Sequence, residues 1–166
     1  MLPLIIISFG ILSRIILHTP NFSPVLSLAL LSGMYLKGRF QPVLVPLGLM
    51  ILGDLVLGFY GFEMLLVWLS IAAISLLGLW LKENKSFLNV LSGSMASAVV
   101  FFIITNFGSW LVLYPHTMAG LRECYILAIP FFRSSLASTM AYSLVFFTAY
   151  EWILKRCQSS VLQRYI

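Results

Sequence analysis

From Phe87 to Val112 the chain carries no acidic or basic residue, and the same is true of residues 22–36 and 64–81. Three further apolar runs, 2–17, 42–61 and 134–154, hold one charge each: Arg14, Asp54 and Glu151. An apolar stretch of about 18 residues or more is long enough to cross a bilayer as a helix. Pro, Gly and charge punctuate the runs, so the pattern predicts six helices at 2–17, 22–36, 42–61, 64–81, 87–112 and 134–154. The first two are short of the ~20 residues of an untilted span. Residues 113–133 are expected to be interfacial or re-entrant. The runs are uninterrupted and lack the ten-residue alternation of a membrane barrel, which excludes strands.

Composition supports lipid as the solvent. Of 166 residues 61% are hydrophobic and 9% charged, and the mean hydropathy is +1.03, whereas soluble domains carry about a quarter charged residues. The opening segment "MLPLIIISFGILSRIILHTP" has no basic residue before its apolar run and no A-x-A-like cleavage site, so it is expected to be the first membrane segment rather than a leader. Cys124 and Cys157 fit neither a disulfide framework nor a zinc spacing.

Assigning loops to alternate sides places Lys37, Arg39, Lys82, Lys85, Lys155, Arg156 and Arg164 together, against Arg14, Arg122 and Arg133. The positive-inside rule then puts both termini in the cytoplasm of a multi-pass bacterial inner-membrane protein, although Arg14 pulls locally the other way. The net charge of +5 is accounted for by this asymmetry and by anionic lipid; no nucleic-acid partner is implied.

With that topology the remaining polar residues gather at the extracytoplasmic end: Arg14, His18 and Asn21 around the first turn, Asp54 and Glu63 around the second, Asn106, Trp110, Tyr114 and His116 at the end of the fifth run, then Arg122, Glu123 and Arg133. Asp54 is seven residues before Gly61, hence roughly 10 Å below the expected helix end at ~1.5 Å per residue. A lone carboxylate at that depth costs a few kcal/mol, so a partner is required, with Arg14 or Arg133 the candidates. As candidate ligand-binding residues we take Asp54, Asn106, Trp110, Tyr114, Arg133, Arg14, His18, Asn21 and His116. Plainer roles stand beside these: Trp110 and Tyr114 as interfacial aromatics, the histidines as interfacial polar groups, and Asp54 with its arginine as a structural ion pair. No metal site or cofactor is expected, because no metal-ligand spacing accompanies the histidines. Ser92, Gly93, Ser94, Ala96, Ser97 and Ala98, with Ala29 and Gly33, read as small-residue packing faces.

The strings "NFSPVLSLALLSGMYL", "PLGLMILGDLVLGFYG", "FFIITNFGSWLVLYPHTMAGL" and "CYILAIPFFRSSL" resemble a small bacterial membrane family of unknown function. Through it the chain is similar to the substrate-binding S-components of energy-coupling-factor (ECF) vitamin transporters. That resemblance implies an all-α six-helix bundle, cytoplasmic termini and an outward-opening pocket. It departs from the pattern at "LIIISFGILSRIIL", which lacks the A-x-x-x-A face that docks the shared transport subunit.

The sequence is thus read as a single transmembrane domain over residues 1–166 that captures a small, vitamin-like molecule, the lipid bilayer and an ECF-type energising module being its other partners. Three arginines and two histidines at one end suggest an anionic ligand and the aromatics a planar one, with Arg133 on the anion. A ligand-free structural or assembly subunit is the alternative. An intramembrane enzyme is disfavoured, since no G-x-S-x-G, H-E-x-x-H or paired-aspartate motif is present.

Overall fold

The computed structural model describes residues 2–16, 21–59 and 61–162. Among them stand seven helices: α1 (Leu2–Ile16), α2 (Val25–Tyr35), α3 (Gln41–Leu57), α4 (Glu63–Leu81), α5 (Phe87–Leu113), α6 (Met118–Leu127) and α7 (Ile129–Leu162), with no strand.

α2 stands at the centre. It is apolar all round, and residues 25–34 are buried without interruption, as expected of a helix enclosed by others. At eleven residues it is roughly 16 Å long. Gly33 and Gly78 let α2 and α4 touch: a Cβ on Gly33 would lie 2.2 Å from Ser75 O, and one on Gly78 would lie 2.1 Å from Leu30 O. α5 and α7 close the bundle on one side, α1 and α3 on the other. Gly93, Ser94, Ser97 and Ala98 on α5 are buried as a small-residue face should be, whereas Ser92 is exposed.

Small hydroxyl side chains lie among a hydrophobic core, while many large apolar side chains face outward. Ser27, Ser32, Ser75, Ser97 and Thr139 are buried, while Leu4, Leu55, Leu69, Trp80, Val99, Val112, Val145 and Trp152 are exposed. Several buried hydroxyls are satisfied within their own helices, Ser32 on Leu28 O, Ser75 on Ile71 O and Ser97 on Gly93 O at 2.7–2.8 Å; Ser27 instead reaches Thr139 O on α7, and Ser143 Oγ is buried with no hydrogen-bond partner among the described residues. α4 and α5 are long and apolar enough to cross a membrane. Their most apolar windows are 39% and 28% buried, so neither is an enclosed core helix.

Several helix bounds differ from expectation, α2 starting at Val25 rather than 22 and α7 running to Leu162 rather than 154. α3 stops at Leu57 rather than 61, because Gly58 at φ +100 turns the chain in a way that side chains resist. Asp54 is therefore about 4.5 Å below that end, not 10. Within residues 113–133, expected to be interfacial or re-entrant, residues 118–127 form a helix; its cap is Thr117, whose side chain accepts from Gly120 N at 3.1 Å. α7 begins at Ile129, five residues before the expected start, because Pro130 falls in the first turn, where no backbone N–H is needed.

The helix ends form two groups. Tyr35 Oη donates to Glu151 Oε1 at 2.6 Å, and Lys85 Nζ lies 4.3 Å from the Tyr35 ring, which brings the end of α2, the α4–α5 loop and the Glu151 level of α7 together. The opposite end joins α1, α3 and the start of α4 through Arg14, Asp54 and Trp68.

Candidate functional site

Asp54, fully buried, is the pivot of that end. Arg14 Nη2 meets its Oδ1 at 2.5 Å, and Trp68 Nε1 donates to its Oδ2 at 2.8 Å. The second guanidinium nitrogen, Nη1, donates to Met50 O at 3.1 Å. Gly53 makes room for the guanidinium, since a Cβ there would lie 2.5 Å from Nη1. Both carboxylate oxygens are thus occupied and the ion pair is sealed, with Arg14 only 14% exposed. A buried pair is tolerable when its hydrogen-bonding capacity is met in this way. Arg14, not Arg133, is the partner.

Beside this pair two cavities lie in series. The first, about 390 Å³, sits between α4, α5, α6 and α7 and is walled by Glu63, Phe101, Phe102, Thr105, Asn106, Ser109, Tyr114, Cys124, Phe131 and Phe132. The second, about 300 Å³, reaches Arg14, Ser23, Met50 and Ser138. Asn21, Val67, Phe101 and Ser135 line both. Asn21 holds a left-handed φ of 56, a conformation Asn tolerates better than most residues, and its carbonyl accepts from Ser138 Oγ at 3.4 Å. Asn106 Nδ2 donates to Phe102 O at 2.7 Å, and its backbone carbonyl accepts from Cys124 Sγ at 3.3 Å. Burial first, and then the charge of Glu63, push the Cys124 thiol up from its usual range.

A family profile matches residues 1–161. The chain belongs to DUF6580, a family of unknown function. No curated protein and no solved structure matches it.

In this DUF6580 member the sequence candidates separate into three groups. Asn21, Asn106 and Tyr114 line the larger cavity, and Arg14 lines the smaller one while holding Asp54. Trp110 and His116 line neither: Trp110 Nε1 donates to Pro115 O at 3.0 Å, its ring is 5.6 Å from that of His116, and His116 Nε2 lies 2.9 Å from Leu111 O. They fasten the corner between α5 and α6. Arg133 is exposed, lines neither cavity and makes no ion pair among the described residues. His18 lies outside the described residues. Of the three arginines behind the expectation of an anionic ligand, Arg14 is paired with Asp54, while Arg122 and Arg133 are exposed and line neither cavity.

Two residues absent from the candidate set matter most. Trp68 closes the Asp54 cluster, and Glu63 supplies the charged group of the larger cavity. A depth count finds the first: Asp54 is three residues before the end of α3 and Trp68 five after the start of α4, so the antiparallel neighbours bring them level.

Proposed function

We propose that the chain is a multi-spanning membrane protein that binds a small molecule in the serial cavities at the Asp54 end, as the binding component of an uptake system. The observation that carries the reading is the cavity of about 390 Å³, within the ~300–1,000 Å³ of small-molecule sites and lined, as such sites are, by aromatics with a few polar groups. Membrane residence is supported by the exposed leucines and tryptophans around buried serines. Lys37, Arg39, Lys82, Lys85, Lys155 and Arg156 belong to the Tyr35 end, so the positive-inside rule turns the cavities away from the cytoplasm.

The sealed Arg14–Asp54–Trp68 cluster serves as the rigid floor beside which a ligand sits. Uptake then requires the ligand to bind the two access states with different affinity. Kinship with ECF S-components is proposed from the sequence resemblance alone. The outer surface of α1, formed by Leu4, Ile5, Phe9, Leu12 and Ile16, is bulky, and buried Gly10 faces Leu49 and Leu28; a docking module of that kind would need a different helix.

Thermal-stability screening of purified protein against vitamins, amines and aromatic acids tests the reading. A ligand present at about 100 times its Kd stabilises by about 2.7 kcal/mol. Thr105→Trp, which fills the larger cavity without touching Asp54, should abolish the response. Stabilisation that survives this substitution would place the ligand elsewhere.

A further inference from the structure

Among the described residues the cavity wall carries one formal charge, and it is negative. Glu63 is the only acidic or basic side chain among the described residues that line the larger cavity, and its Oε1 is buried without a hydrogen-bond partner among them. Arg14, in the adjoining cavity, is already committed to Asp54 and to Met50 O. Glu63 occupies the first turn of α4. A buried carboxylate oxygen with nothing to accept from is costly, and the cost is relieved by a ligand that brings the missing donor. Around it stand Phe101, Phe102, Tyr114, Phe131 and Phe132, whose ring faces attract cations and whose edges suit an apolar body.

We propose that the cavity selects an organic cation, an ammonium or amidinium group on an apolar or aromatic body, with Glu63 as its counter-ion. The proposal rests on the reading of this cavity as a ligand site and specifies the charge of what enters it. It reverses the sign that the arginine-rich sequence suggests, because the arginines are neutralised or turned outward while the acid remains unpaired.

Charge-selective thiol modification tests it. In a full-length Cys124→Ser, Cys157→Ser background, Ser109→Cys places one thiol on the cavity wall. Its rates with trimethylammonium-ethyl and sulfonatoethyl methanethiosulfonate are each divided by the rate with a simple thiol in solution. The normalised ratio should favour the cation about ten-fold or more, as expected when one sign of charge lines a cleft. Glu63→Gln should bring it close to one, and Glu63→Asp should keep it. Benzyltrimethylammonium should protect the thiol from N-ethylmaleimide, and benzenesulfonate should not. A ratio near one, or favouring the anion, in a thiol that does react overturns the cation inference while leaving the open cavity standing. A thiol silent to all three reagents until the protein is denatured contradicts the cavity reading and the inference with it.

Discussion

Trp68 Nε1 donates to Asp54 Oδ2 at 2.8 Å while Arg14 holds the other oxygen, so the one acidic side chain of α3 is shared between α4 and α1. The arrangement fixes three helices at a common level. It also makes Asp54 a structural group whose loss should be felt as instability before it is felt in binding.

Asp54→Asn should cost about 3–5 kcal/mol, because it leaves a buried guanidinium without its counter-charge. Asp54→Asn combined with Arg14→Gln should recover part of that loss, giving a coupling energy of at least about 1 kcal/mol. Arg133→Gln, on an exposed side chain, should change stability by no more than about 0.5 kcal/mol and add independently to Asp54→Asn. Unfolding of purified variants in mixed detergent measures all three. Additive losses for the Arg14 cycle would contradict the pairing.

Trp68→Phe keeps the ring but removes a donor to a charged acceptor, a loss of about 1.5–3 kcal/mol. The same substitution made in Asp54→Asn should cost less, since the acceptor is then neutral. Equal costs in the two backgrounds would mean that the effect is packing alone.

How much of this was legible is clearest from particular residues. The demand that Asp54 be paired followed from the cost of a carboxylate within an apolar run, and Arg14 was among its two candidates. Choosing between them needed the lateral arrangement of helices, which periodicity does not encode when a helix such as α2 is apolar on every face. Trp68 was missed because a tryptophan among leucines looks like any other apolar residue until its indole N–H has a partner. Trp110 and Tyr114 share an aromatic character and a four-residue spacing that puts two residues on one helix face, yet only Tyr114 reaches the cavity; α5 ends at Leu113 and Tyr114 is its extended C-cap, so the turn out of the helix separates them. The helix α6 had a legible signal in Thr117, a good N-cap residue, which the surrounding polar residues obscured.

The contact between Gly33 and Gly78 should be intolerant of any side chain. Gly33→Ala or Gly78→Ala drives a Cβ into backbone of the facing helix, which cannot yield as a side-chain tip can. Each should cost several kcal/mol or prevent accumulation, in line with overpacking at its upper end. Gly48→Ala is the control: a Cβ there meets nothing within 4 Å, and helix propensity alone favours it by roughly 0.5–1 kcal/mol. Thermal unfolding of the three variants should rank Gly48→Ala above wild type and the other two below.

Cys124 should titrate above the usual thiol value of about 8.5, since burial and then Glu63 both disfavour its thiolate. The neutral thiol therefore adds to stability below the unfolded-state pKa, and that contribution is lost as pH rises through the higher folded-state value. With Cys157→Ser in place, the rate of N-ethylmaleimide modification should have its midpoint above about 8.5. Glu63→Gln should lower that midpoint, and an unchanged midpoint would separate the two groups.

Native mass spectrometry of protein extracted gently from its membrane tests most directly whether the cavity of about 390 Å³ is a ligand site. The wild-type chain should carry a small molecule that leaves on collisional activation and is not a membrane lipid, and Thr105→Trp, folded to the same stability, should emerge without it. A wild-type chain that carries lipid alone, or a small molecule retained equally by Thr105→Trp, would contradict the account.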